Sequence, residues 1–392
     1  MARAAAGVHL FLLDDEGVVF DEVRQEVLAL NTAAAAIWCL MEQGSDRADI
    51  EHALRTMFDL DNEQAETFTA SALDDWAARG LLEGSSRLPA AMPCDPPVAP
   101  LPPYPEPAPN FVSQRHYAVR RLPLTVRFTD LAQQALVHPV LAHLEAPQAA
   151  AGCVLDIIAA HAGITLYRDG TPRLGCAGLE ELAPMAKGLA WQFGLSKDDF
   201  LLNMHAGVVA GAAGAILLPA PPGSGKSTLT AGLVAAGLDY FSDEVALLCE
   251  DDLAVMPFPL AMCVKDTGID ALAALFPEIT ALPMHTRMDG KRVVYMPPPA
   301  ARAAASDTRR PVIAIVFPRY VAGAPNALRA LPKPASLARL LSQCMGVQRR
   351  LEARHVTRLV RWIRDLSCYE LDFSDLGAAV ATLVKIANGG SP

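Results

Sequence analysis

Three charged side chains, Lys226, Asp243 and Glu244, stand at spacings that phosphate chemistry uses. The run Ala220-Pro221-Pro222-Gly223-Ser224-Gly225-Lys226-Ser227 fits the [AG]-x-x-x-x-G-K-[ST] pattern of a phosphate-binding loop. In such a loop the unpaired N–H groups and positive dipole end of a helix hold phosphate. Lys226 would neutralise β/γ-phosphate charge, and the Ser227 hydroxyl would bind Mg²⁺. Pro221 and Pro222 carry no N–H. The cradle is therefore expected to rest on Gly223, Ser224, Gly225, Lys226, Ser227 and Thr228. Ala220 can replace the usual first glycine if its backbone angles are ordinary. Asp243 and Glu244 lie 17 and 18 residues beyond Lys226. Two adjacent carboxylates so near the loop suit one metal ligand and one acceptor for a hydroxyl proton. The implied ligands are Mg²⁺ and a nucleoside triphosphate, ATP or GTP.

The elements that must position these groups can be read around them. "AGAILLP" is an apolar strand running into the loop, and "KSTLTAGLVAAG" a helix ending near Gly237, the strand–loop–helix order the motif requires. "YFSDEVALL" carries the acid pair on a following strand, which makes an α/β core. "MDGKRVVYMPPP" holds Lys291 and Arg292 at a hairpin-like turn, and "PFPLAMCVKDTG" holds Lys265, all candidate phosphate or acceptor contacts. Residues 336–386 read as helices packed on that core, with "CYELDF" a late strand. In 113–204, "HYAVRRLPLTVRFTD" alternates like a strand and "GCVLDIIAAHAGITLYRDGTPRLGC" reads as strands joined at Asp169–Gly170. His116, His138, His143 and His161 are isolated and read as packing or surface residues. The stretch 89–109 has about ten prolines and favours stiff, extended chain, so 87–112 reads as a linker between two domains. Before it, short strands and three helices, capped by residues such as Asn31 and ended by Gly44 and Gly80, outline a small winged-helix-like α+β module over 1–86.

Composition narrows the classes. With 392 residues, 52% of them hydrophobic and 19% charged, the chain can bury substantial cores. A net charge of -10 argues against non-specific nucleic-acid binding. The third helix of the module is acidic (Asp61, Glu63, Glu66, Asp74 and Asp75 against Arg79), the wrong sign for a DNA-reading helix. Eight single cysteines without zinc spacing suit a reducing compartment. No signal peptide is read at the N-terminus, and no uncharged apolar run approaches about 20 residues, the length of a membrane span. A cytoplasmic protein is the expectation.

Two resemblances follow from these residues. The strand pair, "LALNTAAAAIW" and the helices of "ADIEHAL…FDLDNEQA…LDDWAARGLL" resemble PqqD-like peptide chaperones, or RiPP recognition elements, across nearly all of 7–84. That likeness implies a module holding the leader of a precursor peptide as an added strand. "HAGVVAGAAGAILLPAPPGSGKSTLTAGLVAAGLDYFSDEV" resembles the HPr serine kinase/phosphorylase family, whose fold is related to phosphoenolpyruvate carboxykinase, including His205 placed 21 residues before Lys226. It implies a kinase domain over 113–392. There Asp243 is the general base, Glu244 and Ser227 hold Mg²⁺, and His205 tunes the site. Arg310, or its neighbour Arg309, stabilises the transferring phosphoryl group. Glu244 replaces the second aspartate of the family pair. The Arg/Gly-rich signature loop of the HPr-specific enzymes is missing, so HPr is a poor substrate candidate. The chain looks closer to HPr kinase-related proteins of ribosomal-peptide pathways. HPr kinases are hexamers, which brings a homo-oligomer into view. The expected activity is ATP-dependent phosphorylation of a hydroxyl, serine first, on a precursor peptide. A kinase of another protein or a small molecule, and a nucleotide-bound scaffold that delivers peptide without transfer, stay open.

Overall fold

The computed structural model describes residues 2–85, 100–149, 151–160, 163–196, 200–345 and 350–391. The chain divides into two compact units: residues 1–95 with 330–368, and residues 96–329 with 369–392.

The first unit begins as a meander. Strands Val8–Leu13, Glu16–Asp21 and Glu26–Leu30 pair antiparallel in that order. Asp14, in the tight first turn, takes the left-handed region (φ +56) that short polar residues tolerate. Helices Thr32–Glu42, Arg47–Phe58 and Asn62–Ala78 follow. Each starts on a side-chain cap, Asn31, Asp46 or Asp61, accepting from a first-turn N–H. Their apolar faces meet over Val19, and Trp38 and Trp76 pack edge to face with centroids 4.7 Å apart.

The central strand also buries Val18 and Phe20, which alternate with Val19 and so point to the other face. Helices Lys333–Leu341 and Ala353–Arg364 pack on the same three strands. The Gln25 side chain bonds both the N–H and the C=O of Leu351 (2.6 and 2.9 Å). The expectation that 336–386 packs wholly on the P-loop core, and that 113–392 is one domain, is therefore corrected: 330–368 joins residues 1–95. An amphipathic helix shows in sequence that it has an apolar face, but not which sheet receives it. A fragment of residues 1–95 alone should leave Val18 and Phe20 uncovered. It is expected to melt lower than residues 1–95 joined by a short linker to 330–368, and to bind the apolar dye ANS. Equal melting temperatures would refute the second helical layer.

The second unit opens with part of the expected linker. Residues 86–99 lie outside the described residues, but 100–112 are seated on a sheet. The Tyr104 hydroxyl donates to Asp156 (2.8 Å), the Tyr167 hydroxyl reaches the carbonyls of Pro102 and Pro103 (3.2 Å each), and Arg127 stacks over Phe111. That sheet has the order Ser113–Val119, Leu122–Phe128, Cys153–Ala160, Gly163–Arg168, Thr171–Cys176. The single strand expected in "HYAVRRLPLTVRF" is two, because Arg120 and Arg121 both have positive φ (+48 and +67) and turn the chain in two residues. Asp169 and Gly170 make the expected hairpin turn. Helix Leu182–Leu195 covers this sheet through Leu182, Ala186, Leu189 and Phe193.

The second sheet of this unit orders Asp239–Ser242, Ala206–Ala210, Ala215–Pro219, Arg310–Tyr320, Ala254–Met256, Ala246–Leu248 and Leu202–Met204, with Ser367–Phe373 also paired to Arg310–Tyr320. Ala215–Pro219 and Arg310–Tyr320 are parallel neighbours, and helix Lys226–Ala235 follows the first of them. A small antiparallel sheet of Met262–Lys265, Arg292–Met296 and His285–Thr286 completes the unit. The chain is thus a mixed α/β protein.

Candidate functional site

The strand Ala215–Pro219 is fully buried and leads into Ala220, which is itself buried and adopts no positive φ. The alanine therefore does here what the usual glycine would. Gly223 (φ +97) and Gly225 (φ +82) bend the loop, and Gly225 sits in the left-handed region at the start of helix Lys226–Ala235. A side chain at Gly225 would also lie 2.8 Å from the Phe373 ring and 3.1 Å from Tyr320 Cβ, so glycine is required twice over.

A cavity of about 380 Å³ opens over the loop. Gly223, Gly225, Lys226, Ser227 and Thr228 line it, joined by His205, Asp243 and Glu244. The buried hydroxyl of Ser224 has no partner among the described residues. The glycine loop and the buried lysine fit a polyphosphate.

Lys226 Nζ lies 2.6 Å from His205 Nε2. Burial lowers the lysine to about 8, against the opposing pull of Asp243 and Glu244. Burial, and then Lys226, lowers His205 to about 4. At neutral pH the contact is an ammonium donating to a neutral imidazole. His205 thus holds the lysine without competing for it as a charge.

Asp243 and Glu244 occupy the turn between Asp239–Ser242 and Ala246–Leu248. The Ser242 hydroxyl accepts the N–H groups of Glu244 and Val245 and fixes that turn. Asp243 is 1% exposed and accepts from the Cys263 N–H (2.9 Å) and the Tyr240 hydroxyl (3.2 Å). Burial, then the neighbouring Glu244, raises its carboxyl above the usual range. Glu244 goes the other way. Burial acts to raise it, but Lys187, 2.5 Å away, together with Arg287 and Lys226, outweighs burial and holds it low. The environment separates two adjacent carboxylates into a firmly ionised one and a more basic one, a pattern of acid–base sites.

Several expected residues therefore converge: His205, Gly223, Gly225, Lys226, Ser227, Thr228, Asp243 and Glu244, with Lys265 and Lys291 on the same lining. Arg310 does not. The loop leaves the C-terminal end of Ala215–Pro219, whereas Arg310 begins the parallel neighbour and lies at the opposite end, near Ala215 in register. Arg309 pairs instead with Asp251 and Asp252 (2.7 and 3.2 Å), and Arg292 is exposed outside the cavity. The far end of that strand reaches the site: the Tyr320 N–H donates to the Ser224 carbonyl (3.0 Å).

Lys187, Arg287, Tyr320 and Phe373 were not found by sequence reasoning. Lys187 left a signal, a single charge inside the apolar helical run "LAPMAKGLAW". Arg287 left none; it lies on the turn after His285–Thr286, 3.8 Å from Cys263 Sγ.

Among the described residues no helix is long and apolar enough to cross a membrane. No curated protein matches the chain. One similar solved structure, "TbiB1 in Complex with the TbiA(beta) Leader Peptide", is 25% identical over 22% of this chain and 99% of that chain, with a TM-score of 0.21. Residues 16–82 match the family "Coenzyme PQQ synthesis protein D (PqqD)". The segment Glu16 to Leu82, inside the first unit, is accordingly a PqqD-like recognition element.

Proposed function

We propose that this chain is a Mg²⁺- and ATP-dependent phosphotransferase that phosphorylates a hydroxyl, most simply a serine, of a ribosomally made peptide presented by its PqqD-like element. The observation that carries the transfer chemistry is one cavity holding Lys226 and Ser227 of the loop together with the Asp243–Glu244 pair. The PqqD match over 16–82 supports the peptide half of the reading. A three-stranded sheet whose outer strands, Val8–Leu13 and Glu26–Leu30, have one strand neighbour each among the described residues can accept an extended peptide at an edge.

Within that reading each group has a task. The loop N–H groups from Gly223 onward hold phosphate oxygens, and Lys226 sets its charge against them. Ser227 and Glu244 would hold Mg²⁺, which when bound neutralises phosphate charge. Asp243 accepts the proton of the acceptor hydroxyl as its oxygen bonds to the transferred phosphorus and ADP leaves. A leader held on the same chain raises the local concentration of the acceptor without tight binding of the acceptor itself.

The test is the intact mass of a leader-bearing precursor peptide, taken from a reading frame beside this one, after incubation with the full chain and Mg-ATP. A gain of one phosphoryl unit is expected, lost when the leader is removed. Peptide binding with no mass gain would leave the delivery scaffold as the function.

A further inference from the structure

The cavity lining divides by chemistry. Lys265, Arg287 and Lys291 answer to anions; Pro221, Pro222, Phe373 and Leu376 offer nothing to a phosphate, and Tyr320 offers it only a hydroxyl. Tyr320 is the unusual member. It is 51% exposed, although it sits beside the loop at the carboxyl end of a parallel strand pair, where α/β sheets take ligands. Its position is fixed on two sides. Its N–H is bonded to the Ser224 carbonyl (3.0 Å), and its ring lies edge to face on buried Phe373, with centroids 5.8 Å apart at 75°. Gly225 has no side chain where one would strike both aromatics. An aromatic face held rigid and left open next to a phosphate loop suits a flat, apolar-faced ligand group joined to phosphate.

Resting on the nucleotide reading above, we infer that Tyr320 is the stacking face for the base of a purine nucleoside triphosphate, in a slot that Pro221 and Pro222 help to line. The two prolines that interrupt the loop motif then have a use. They give up N–H groups the phosphates can spare and supply rigid apolar surface to the same cavity.

Binding of Mg-ATP and of Mg-tripolyphosphate to the full chain, measured by calorimetry, separates the base from the phosphates. Base–aromatic stacking predicts that Tyr320→Ala weakens ATP about tenfold and leaves tripolyphosphate unchanged. Tyr320→Phe, which keeps the ring, should recover most of the ATP affinity. Retained tripolyphosphate binding by Tyr320→Ala also reports an intact loop. Equal loss of both ligands, or no loss of ATP, overturns the inference while sparing the phosphate site. A wild-type chain that binds neither ligand overturns the phosphate-loop reading itself, and this inference with it.

Discussion

Asp243→Asn is expected to reduce the proposed phosphoryl transfer to a peptide by about 10²–10⁴-fold, the usual contribution of a general base, with little change in nucleotide affinity. The substitution preserves shape. Its amide oxygen can still accept from the Cys263 N–H, and its NH₂ can face the Tyr240 oxygen, so the turn should survive. What is lost is basicity at a carboxylate that burial and Glu244 make more proton-avid than an ordinary aspartate. Single-turnover transfer and calorimetric ATP binding on the same preparation decide it. Transfer within tenfold of wild type would remove Asp243 from the base role. Lost ATP binding would make it a nucleotide ligand instead.

Lys187→Met should produce the largest loss of stability. Lys187 is 2% exposed, and its ammonium meets Glu244 at 2.5 Å and the Tyr295 ring at 5.1 Å from its centroid. Removing one partner of a fully buried pair costs about 3–5 kcal/mol; because the Glu244 side chain is 29% exposed, about 2 kcal/mol is the better expectation. The double variant Lys187→Met/Glu244→Gln should recover much of it, since the uncompensated charge is then gone.

The sign with pH follows from the pair. Glu244 is held below its usual range, so its contribution is present above the ordinary carboxylate pKa and fades as pH falls through the folded value. The upward-shifted Lys187 stays charged throughout the neutral range. The gap between wild type and Lys187→Met should thus be widest near neutral pH and close in acid. Denaturant melts at neutral and acid pH check this; a gap that grows on acidification would mean Lys187 does not act through Glu244.

Lys187 also marks what a linear reading misses. It lies 57 residues from Glu244, on a helix whose other buried residues are all apolar. Arg310 failed for the complementary reason. A basic residue at the entrance of a strand looked like a phosphate contact, but strand polarity puts the entrance of a parallel neighbour at the end away from the loop.

Local chemistry was decided by the sequence alone: the loop from Gly223 to Thr228, the acid pair behind it, His205 ahead of it, and the caps and turns of the PqqD-like element. Each depends on neighbours a few residues away, or on a strand–loop–helix unit short enough to read directly. The tertiary structure decided the rest. It assigned helices Lys333–Leu341 and Ala353–Arg364 to the N-terminal sheet, seated 100–112 on a β-sheet, set Lys187 against Glu244 and brought Tyr320 to the loop. Those outcomes turn on which of several apolar faces meet and which strand ends align. Hydrophobic burial rewards many such pairings about equally per unit area, so only the packed molecule selects among them.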